Sequence, residues 1–433
     1  MKNITKNQIS GKKILILGGN PETGISVKKA NALGVYTIVV DPNPIAPAKI
    51  HARKHYEIDG FDIDRLIQVA RTEKVDGVLV GVADILVPSY LQLCEALDLP
   101  CYASREIIDA LTSKDGFLNT INTYSIKGIP SYSLDERMHP ENLEEIKFPV
   151  MVKPVDNGGG VGMTVCYDKE ELISGVKFAI NNSKKGLFLV EKYMSSDDIF
   201  AYYTFKDGEI YLSAIADRIT TKKGGKASPV CIAELYPSKY TDQYINLIHP
   251  SITEMFRGLG IRNGVLNIQF FVEGGNFYAY DPGFRLQGAA PDIYANAING
   301  FDHRKMLINF ALTGSMGVED LPERNDYWFR GKNACTLWIL LKSGIINNIY
   351  GLNELRDDPS VIYILKRFNE SDEVLENMIG TERQVMARIY IVSDSKQQLV
   401  QKINQIKSQL SVLDSNGEEM VLDFVDTDLI LSN

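Results

Sequence analysis

The chain has 433 residues, too many for one ordinary domain, so two or three domains are expected. Hydrophobic content of 45% and charged content of 23% are those of a globular protein with a sizeable core. A net charge of −9 argues against a general nucleic-acid binder, and no apolar run approaches the about 18 residues of a membrane span.

The start, MKNITKNQISGKK, has basic residues but no apolar h-region, so no secretory leader is expected. Cys94, Cys101, Cys166, Cys231 and Cys335 are dispersed without a CxxC pair. That pattern predicts reduced thiols in a cytoplasm, not a disulfide framework or a zinc site.

In chain order, KILILG (13–18) is a compact apolar strand that runs into GGNPETG and a helical stretch. YTIVVDPNP is a second strand ending in Asp41, DRLIQVARTEKVDGVLVGV a further helix and strand, and YLQLCEALDL another helix. This alternation predicts a doubly wound parallel sheet over residues 11–105. GGNPETG with Asp41 permits a dinucleotide-binding reading and hence an NAD-dependent dehydrogenase. Asn20 stands where a clean GxGxxG has its second glycine, and a tight strand-to-helix turn is favoured. His51 and His55 follow the proline-rich PNPIAPA and read as surface residues.

From Lys114 the pattern changes to a helix, KDGFLNTINTYSIKGIP, then strands FPVMVKPV, GMTVCY, GLFLVEKY and AYYTFKDGEIYLSAIADR. A lysine- and glycine-rich loop, TTKKGGKASP, follows, then one helical run, YTDQYINLIHPSITEMFRGLG, and the strands GVLNIQFFV and NFYAYDPG. The last hundred residues read as an α+β unit: ACTLWILL, QVMARIYIVS, a helix SKQQLVQKINQIKSQLSV and a strand EEMVLDFV.

FPVMVKPVDNGGGVGM carries the clearest chemistry. Met151 and Lys153 share one strand face, and the lysine projects toward whatever the next loop covers. Gly158, Gly159, Gly160 and Gly162 free the backbone to cup phosphate oxygens with bare N–H groups, the lysine adding a point charge. A solvated hairpin loop is the plain alternative. Downstream, a three-residue loop of Gly274, Gly275 and Asn276 would place Gln269 opposite Asp281 on one sheet face, whereas a two-residue loop would point them apart. Lys222, Lys223 and Lys226 suit either an anionic substrate or a solvated loop.

Lys114, KPVDNGGGVGM, LVEKYM, LNIQFFV and YDPGFRLQG together resemble the ATP-grasp superfamily over most of residues 12–320. They are most similar in motif to the half-repeat of the carbamoyl-phosphate synthetase large chain, biotin carboxylase and single-chain carboxylate–amine ligases. The resemblance implies a pre-ATP-grasp Rossmann-like domain over 1–113 and a two-lobed ATP-grasp domain over 114–325, its small lobe at about 125–190. A C-terminal α+β lobe over 326–433 completes the expected division.

The resemblance also implies site roles. Lys114, Lys153, Gly158, Gly159, Gly160, Gly162 and Met163 would cover the ATP phosphates. Glu191, Lys192, Tyr193 and Met194 would form the hinge whose backbone reads adenine. Asp198 would take the ribose hydroxyls, with Asp197 its rival. Gln269 and Asp281 would hold Mg2+, or Mn2+ in its place, and Arg285 would steady the transferred phosphoryl group. Gly283 stands where the superfamily has an asparagine, which puts a second metal in question. The implied activity is a ligase forming an acyl-phosphate from a small-molecule carboxylate and passing the acyl group to an amine. Carboxy- or carbamoyl-phosphate synthesis from bicarbonate, or an ATP-binding regulator with weakened catalysis, are the alternatives. No nucleic-acid or membrane partner is expected; a homodimer is compatible.

Overall fold

The computed structural model describes residues 6–134, 143–155, 162–221, 229–422 and 424–431. Strands β1 (Lys13–Leu17), β2 (Tyr36–Val40), β3 (Lys54–Tyr56) and β4 (Gly77–Val80) form an all-parallel sheet in the order β3-β2-β1-β4. Ile14 to Leu17 and Val78 to Val80 are buried in succession, because a parallel sheet covered by helices has no solvent face. The edge strand β3 has no sequence signal: Lys54 and His55 are exposed.

The GGNPETG segment is a tight turn, and the chemistry of Asp41 is spent inside it. Gly19 N–H donates to Asp41 Oδ2 at 2.7 Å and Asn43 N–H to its Oδ1 at 2.8 Å. Asn20 caps helix Pro21–Ala32, accepting from Thr23 N–H at 2.8 Å. A side chain on Gly19 would meet Ala46 Cβ at 2.5 Å, so the turn is tightly packed at that glycine.

A small antiparallel sheet, ordered β5-β8-β6-β7, comprises β5 (Ser131–Tyr132), β6 (Val150–Pro154), β7 (Thr164–Cys166) and β8 (Phe188–Lys192). Helix Lys169–Asn181 packs Leu172, Val176 and Ala179 onto Val150, Val152 and Val190, a core of its own. Gly162, at φ +77°, closes the loop after β6; a Cβ there would lie 2.7 Å from both Asn182 Cβ and Pro154 Cγ.

The eight-stranded sheet runs β13-β12-β9-β10-β11-β14-β18-β16. It is built from β9 (Asp197–Lys206), β10 (Glu209–Thr220), β11 (Cys231–Tyr236), β12 (Gly264–Glu273), β13 (Asn276–Gly283), β14 (Asn333–Leu340), β16 (Val361–Lys366) and β18 (Val385–Ser393). It crosses the expected boundary at residue 326: β14 pairs with β11 from Leu337 opposite Ala233 to Ala334 opposite Tyr236. The C-terminal strands therefore extend the central sheet, since β11 is buried along its length and cannot stand as an edge. A third sheet, ordered β17-β15-β19, joins β15 (Gly344–Tyr350), β17 (Glu373–Val374) and β19 (Ser411–Asp414).

Two local expectations change. The single helical run at 240–260 is two helices, Thr241–Leu247 and His249–Gly258, with Pro250 in the first turn of the second. EEMVLDFV forms isolated bridges at Glu419 and Val421, not a strand. None of the five cysteines forms a disulfide. No helix among the described residues is long and apolar enough to cross a membrane.

Candidate active site

The small sheet, the helix Lys114–Thr123 and the β12–β13 hairpin enclose one cleft. Lys114, Phe117, Leu118, Ile129, Lys153, Glu191, Ala279 and Tyr280 line it. A wider groove bordered by Arg330, Ser360 and Lys402 shares none of these residues.

Ser113 caps the Lys114 helix through a 3.0 Å bond from Gly116 N–H, and Lys114 Nζ donates to the Pro154 carbonyl at 2.7 Å. Lys153 comes from β6, where burial alternates as the strand period requires. Its ammonium pairs with Glu191, whose residue lies opposite Met151, one diagonal step away on the same face. Gly158, Gly159 and Gly160 lie outside the described residues, as do Lys222, Lys223 and Lys226. Gly162 and Met163 resume the chain beside β7.

At the end of β8, Lys192 N–H donates to Pro130 O at 2.8 Å and Tyr193 N–H to Pro149 O at 3.0 Å. These bonds tie the end of β8 to the segments that precede β5 and β6, and the Lys192 side chain pairs with Glu273 beside the β12–β13 turn. The Met194 N–H meets no acceptor among the described residues. Tyr193 and Met194 are buried side chains.

Gln269 stands opposite Asp281, but not by the expected route. The turn has two residues, Gly274 and Gly275, at φ +56° and +76° between paired Glu273 and Asn276. That turn alone would put the two side chains on opposite faces. A β-bulge at Tyr280 adds one residue to β13, so Phe270 faces Ala279 while Gln269 faces Asp281. The bulge also turns the Tyr280 hydroxyl inward, 2.5 Å from Gln269 Oε1 and 3.0 Å from Asp198 Oδ1.

Arg218 from β10 anchors this group, donating to Asp198 Oδ2 at 2.6 Å, Gln269 Oε1 at 2.8 Å and the Tyr280 oxygen at 2.9 Å. Asp198 is therefore buried and engaged, whereas Asp197 is half exposed and accepts from the Tyr240 hydroxyl at 2.6 Å. Arg285 donates to its neighbour's carbonyl, Leu286 O, at 2.7 Å and pairs with Asp84 from the loop after β4. Protein surrounds Asp281, yet its side chain stays exposed to solvent. Its carboxyl is pushed up to about 6, first by desolvation and then by Asp84, against the pull of Arg285 and Lys153.

Among the described residues no three His, Cys, Asp or Glu side chains gather as a metal cluster. One carboxylate beside amide oxygens is nonetheless a donor set for a hard cation that keeps phosphate and water ligands. The buried Asn267 Oδ1, without a hydrogen-bond partner among the described residues, adds an uncommitted oxygen to that set.

Arg218, Tyr280, Asn267 and Asp84 are site residues that the sequence reading passed over. Asn267 had a signal, since it lies two residues before Gln269 and hence on the same face. Asp84 had one too, lying just past the carboxyl end of a parallel strand. Arg218 follows Asp217 after the apolar run of β10, and Tyr280 gave no signal because a bulge is not written in composition.

The family model for the carbamoyl-phosphate synthase L chain ATP-binding domain matches residues 112–316. Residues 112–316 are an ATP-grasp domain. The carbamoyl phosphate synthase large chain of Clostridium beijerinckii is 26% identical over 311 residues, 67% of this chain and 28% of that one. The chain thus spans about a quarter of the length of that relative. The L-amino acid ligase of Bacillus licheniformis has the same fold, with a TM-score of 0.76 at 16% identity over 94% of this chain and 100% of that one. So does the biotin carboxylase domain of the Hydrogenobacter thermophilus 2-oxoglutarate carboxylase, with a TM-score of 0.74 at 16% identity over 94% of this chain and 91% of that one. That structure holds MgADP, ADP and bicarbonate.

Proposed function

We propose that the chain is an ATP-dependent ligase that activates a carboxylate as an acyl-phosphate and transfers the acyl group to an amine. The observation that supports this reading is the cleft in which Lys114 and Lys153 face Ala279 and Tyr280 of the hairpin that also bears Gln269 and Asp281. Two ammonium groups on one side and a carboxylate–amide pair on the other suit a polyphosphate with its cation between them.

In this reading Lys114, Lys153 and the loop of Gly158, Gly159, Gly160, Gly162 and Met163 hold the phosphates. The adenine edge lies against the backbone of Glu191 to Met194. Only the Met194 N–H is uncommitted among the three after Glu191, so it is the donor to adenine. Asp198 takes the ribose. Gln269 and Asp281 hold Mg2+, for which Mn2+ would substitute; the cation would neutralise charge on the phosphate oxygens. Arg285, fixed by Asp84, orients the phosphoryl group. A carboxylate oxygen attacks the γ-phosphorus as the bond to ADP breaks; an amine lone pair then attacks the acyl carbon and inorganic phosphate leaves. Domains 1–113, 114–325 and 326–433 and a cytoplasmic homodimer belong to the same proposal, the third domain sharing its sheet with the second.

The similarity to carbamoyl phosphate synthase large chains favours bicarbonate as a second reading of the acid. Phosphate release scored across carboxylate–amine pairs and against bicarbonate alone tests both. Turnover with a pair supports the ligase, and turnover with bicarbonate alone supports the second reading. ADP binding without turnover across the panel would refute both in favour of a nucleotide-binding regulator.

A further inference from the structure

The uncommitted oxygen at Asn267 has a defined target. Asn267 on β12 pairs with Gly283 on β13, the next same-face position beyond the Gln269–Asp281 pair. A side chain placed on Gly283 would meet Asn267 Oδ1 at 2.9 Å and Asp84 Oδ1 at 3.0 Å. Two oxygens, one from each domain, thus converge on the space over Gly283, two residues along the strand from Asp281.

Asn267 is 3% exposed, and its Oδ1 has no hydrogen-bond partner among the described residues. A buried acceptor left without a donor is costly. Arg285, two residues past Gly283, pairs with Asp84 and with the Leu286 carbonyl and does not satisfy Asn267. Hard divalent cations select such uncharged oxygens alongside a carboxylate.

We propose that Asn267 Oδ1 is a ligand of the divalent cation that enters with the nucleotide, Gly283 being side-chain-free to admit it and Asp84 supplying charge from the N-terminal domain. The proposal rests on the nucleotide-binding reading above and adds a ligand to it. It also makes the cation site a joint between two domains.

The test is Mn2+ binding to the full chain in the presence of ADP, read by electron paramagnetic resonance of the free ion, with metal-free ADP binding read by calorimetry. Asn267→Ala should weaken Mn2+ binding about tenfold and leave metal-free ADP binding unchanged. Moving the amide across the pair, in the double variant Asn267→Ala with Gly283→Asn, should restore Mn2+ binding. Asn267→Asp, which keeps the shape, should tighten it. Loss of less than about twofold in Asn267→Ala would overturn the proposal and leave the nucleotide site standing. If that variant does not fold, unchanged Mn2+ affinity in Asn267→Asp overturns it instead. A wild-type chain that binds no ADP removes the nucleotide reading itself, and this ligand with it.

Discussion

Lys153 and Glu191 are 13% and 9% exposed at their side chains, so each is the other's main compensation in a dry cleft. Lys153→Ala should abolish turnover, but it also strands a buried carboxylate, at a cost of about 3–5 kcal/mol. The pair of variants Lys153→Ala and Lys153→Met with Glu191→Gln separates the two effects. Urea unfolding should show stability recovered in the double variant, while phosphate release stays absent. Recovered turnover would mean that Lys153 has no contact with the phosphates.

Asp281 carries a pH prediction. Its carboxyl sits at about 6 rather than 3.8, so between those values the folded chain holds a proton that the unfolded chain has released. Its contribution to stability is full below the unfolded value and is lost as pH rises through about 6. The open face toward solvent damps that contribution. For the cation the sign is opposite, since metal and proton compete. Apparent Mg2+ affinity should fall as pH drops below about 6, and Asp281→Asn should flatten that dependence as well as weaken binding. An unaltered pH profile in Asp281→Asn would show that another group governs metal binding.

At the scale of elements, the β12–β13 hairpin decides the site. Alternation shows that Gln269 lies on a face opposite Leu266, Ile268 and Phe270, all buried. The residues Glu273, Gly274, Gly275 and Asn276 fit a two-residue or a three-residue loop, so the register could not be read from them. The two-residue turn prevails because both glycines adopt positive φ and match the twist of the strands. The extra residue is then placed at Tyr280, where its hydroxyl finds Gln269, Asp198 and Arg218 and its ring stacks on Phe271 at 4.5 Å. Deleting Tyr280 should remove the bulge, turn Asp281 away from Gln269 and eliminate nucleotide-dependent Mn2+ binding. Intact Mn2+ binding in that variant would show that the bulge does not set the site. Gly162→Ala should cost about 1–3 kcal/mol in urea unfolding, from its positive φ and the contacts to Asn182 and Pro154.

Across the whole molecule, a buried ionic network ties the first domain to the last strands. Glu22, in the first turn of the helix after GGNPETG, accepts from Arg388 of β18 at 2.7 Å and from Arg367 at 2.5 Å. Arg388 also lies over the Trp338 ring at 4.0 Å. Burial alone would raise the Glu22 carboxyl, but Arg388 and Arg367 hold it below its ordinary value of 4.5. Its stabilisation is therefore present above that value and is lost as pH falls through the depressed one. Glu22→Gln should destabilise the chain by about 3 kcal/mol at neutral pH in urea unfolding, because the buried Arg388 and the partly buried Arg367 lose a shared counter-charge. An effect below about 1 kcal/mol would mean that the network contributes little to the joint.

The sequence by itself determined the alternation of a parallel sheet, the strand face that Lys153 takes on β6 and the order of motifs along residues 112–316. Those are local properties: side-chain period, glycine freedom and short spacings that the chain carries wherever it is. Only the tertiary structure decided that Asp41 closes its own turn, that the C-terminal strands extend the central sheet, and that Asn267 and Asp84 meet over Gly283. Each of these depends on which distant groups compensate a buried polar atom or an open strand edge. Residues 183 positions apart, as Asp84 and Asn267 are by number, share a cost that no local spacing records.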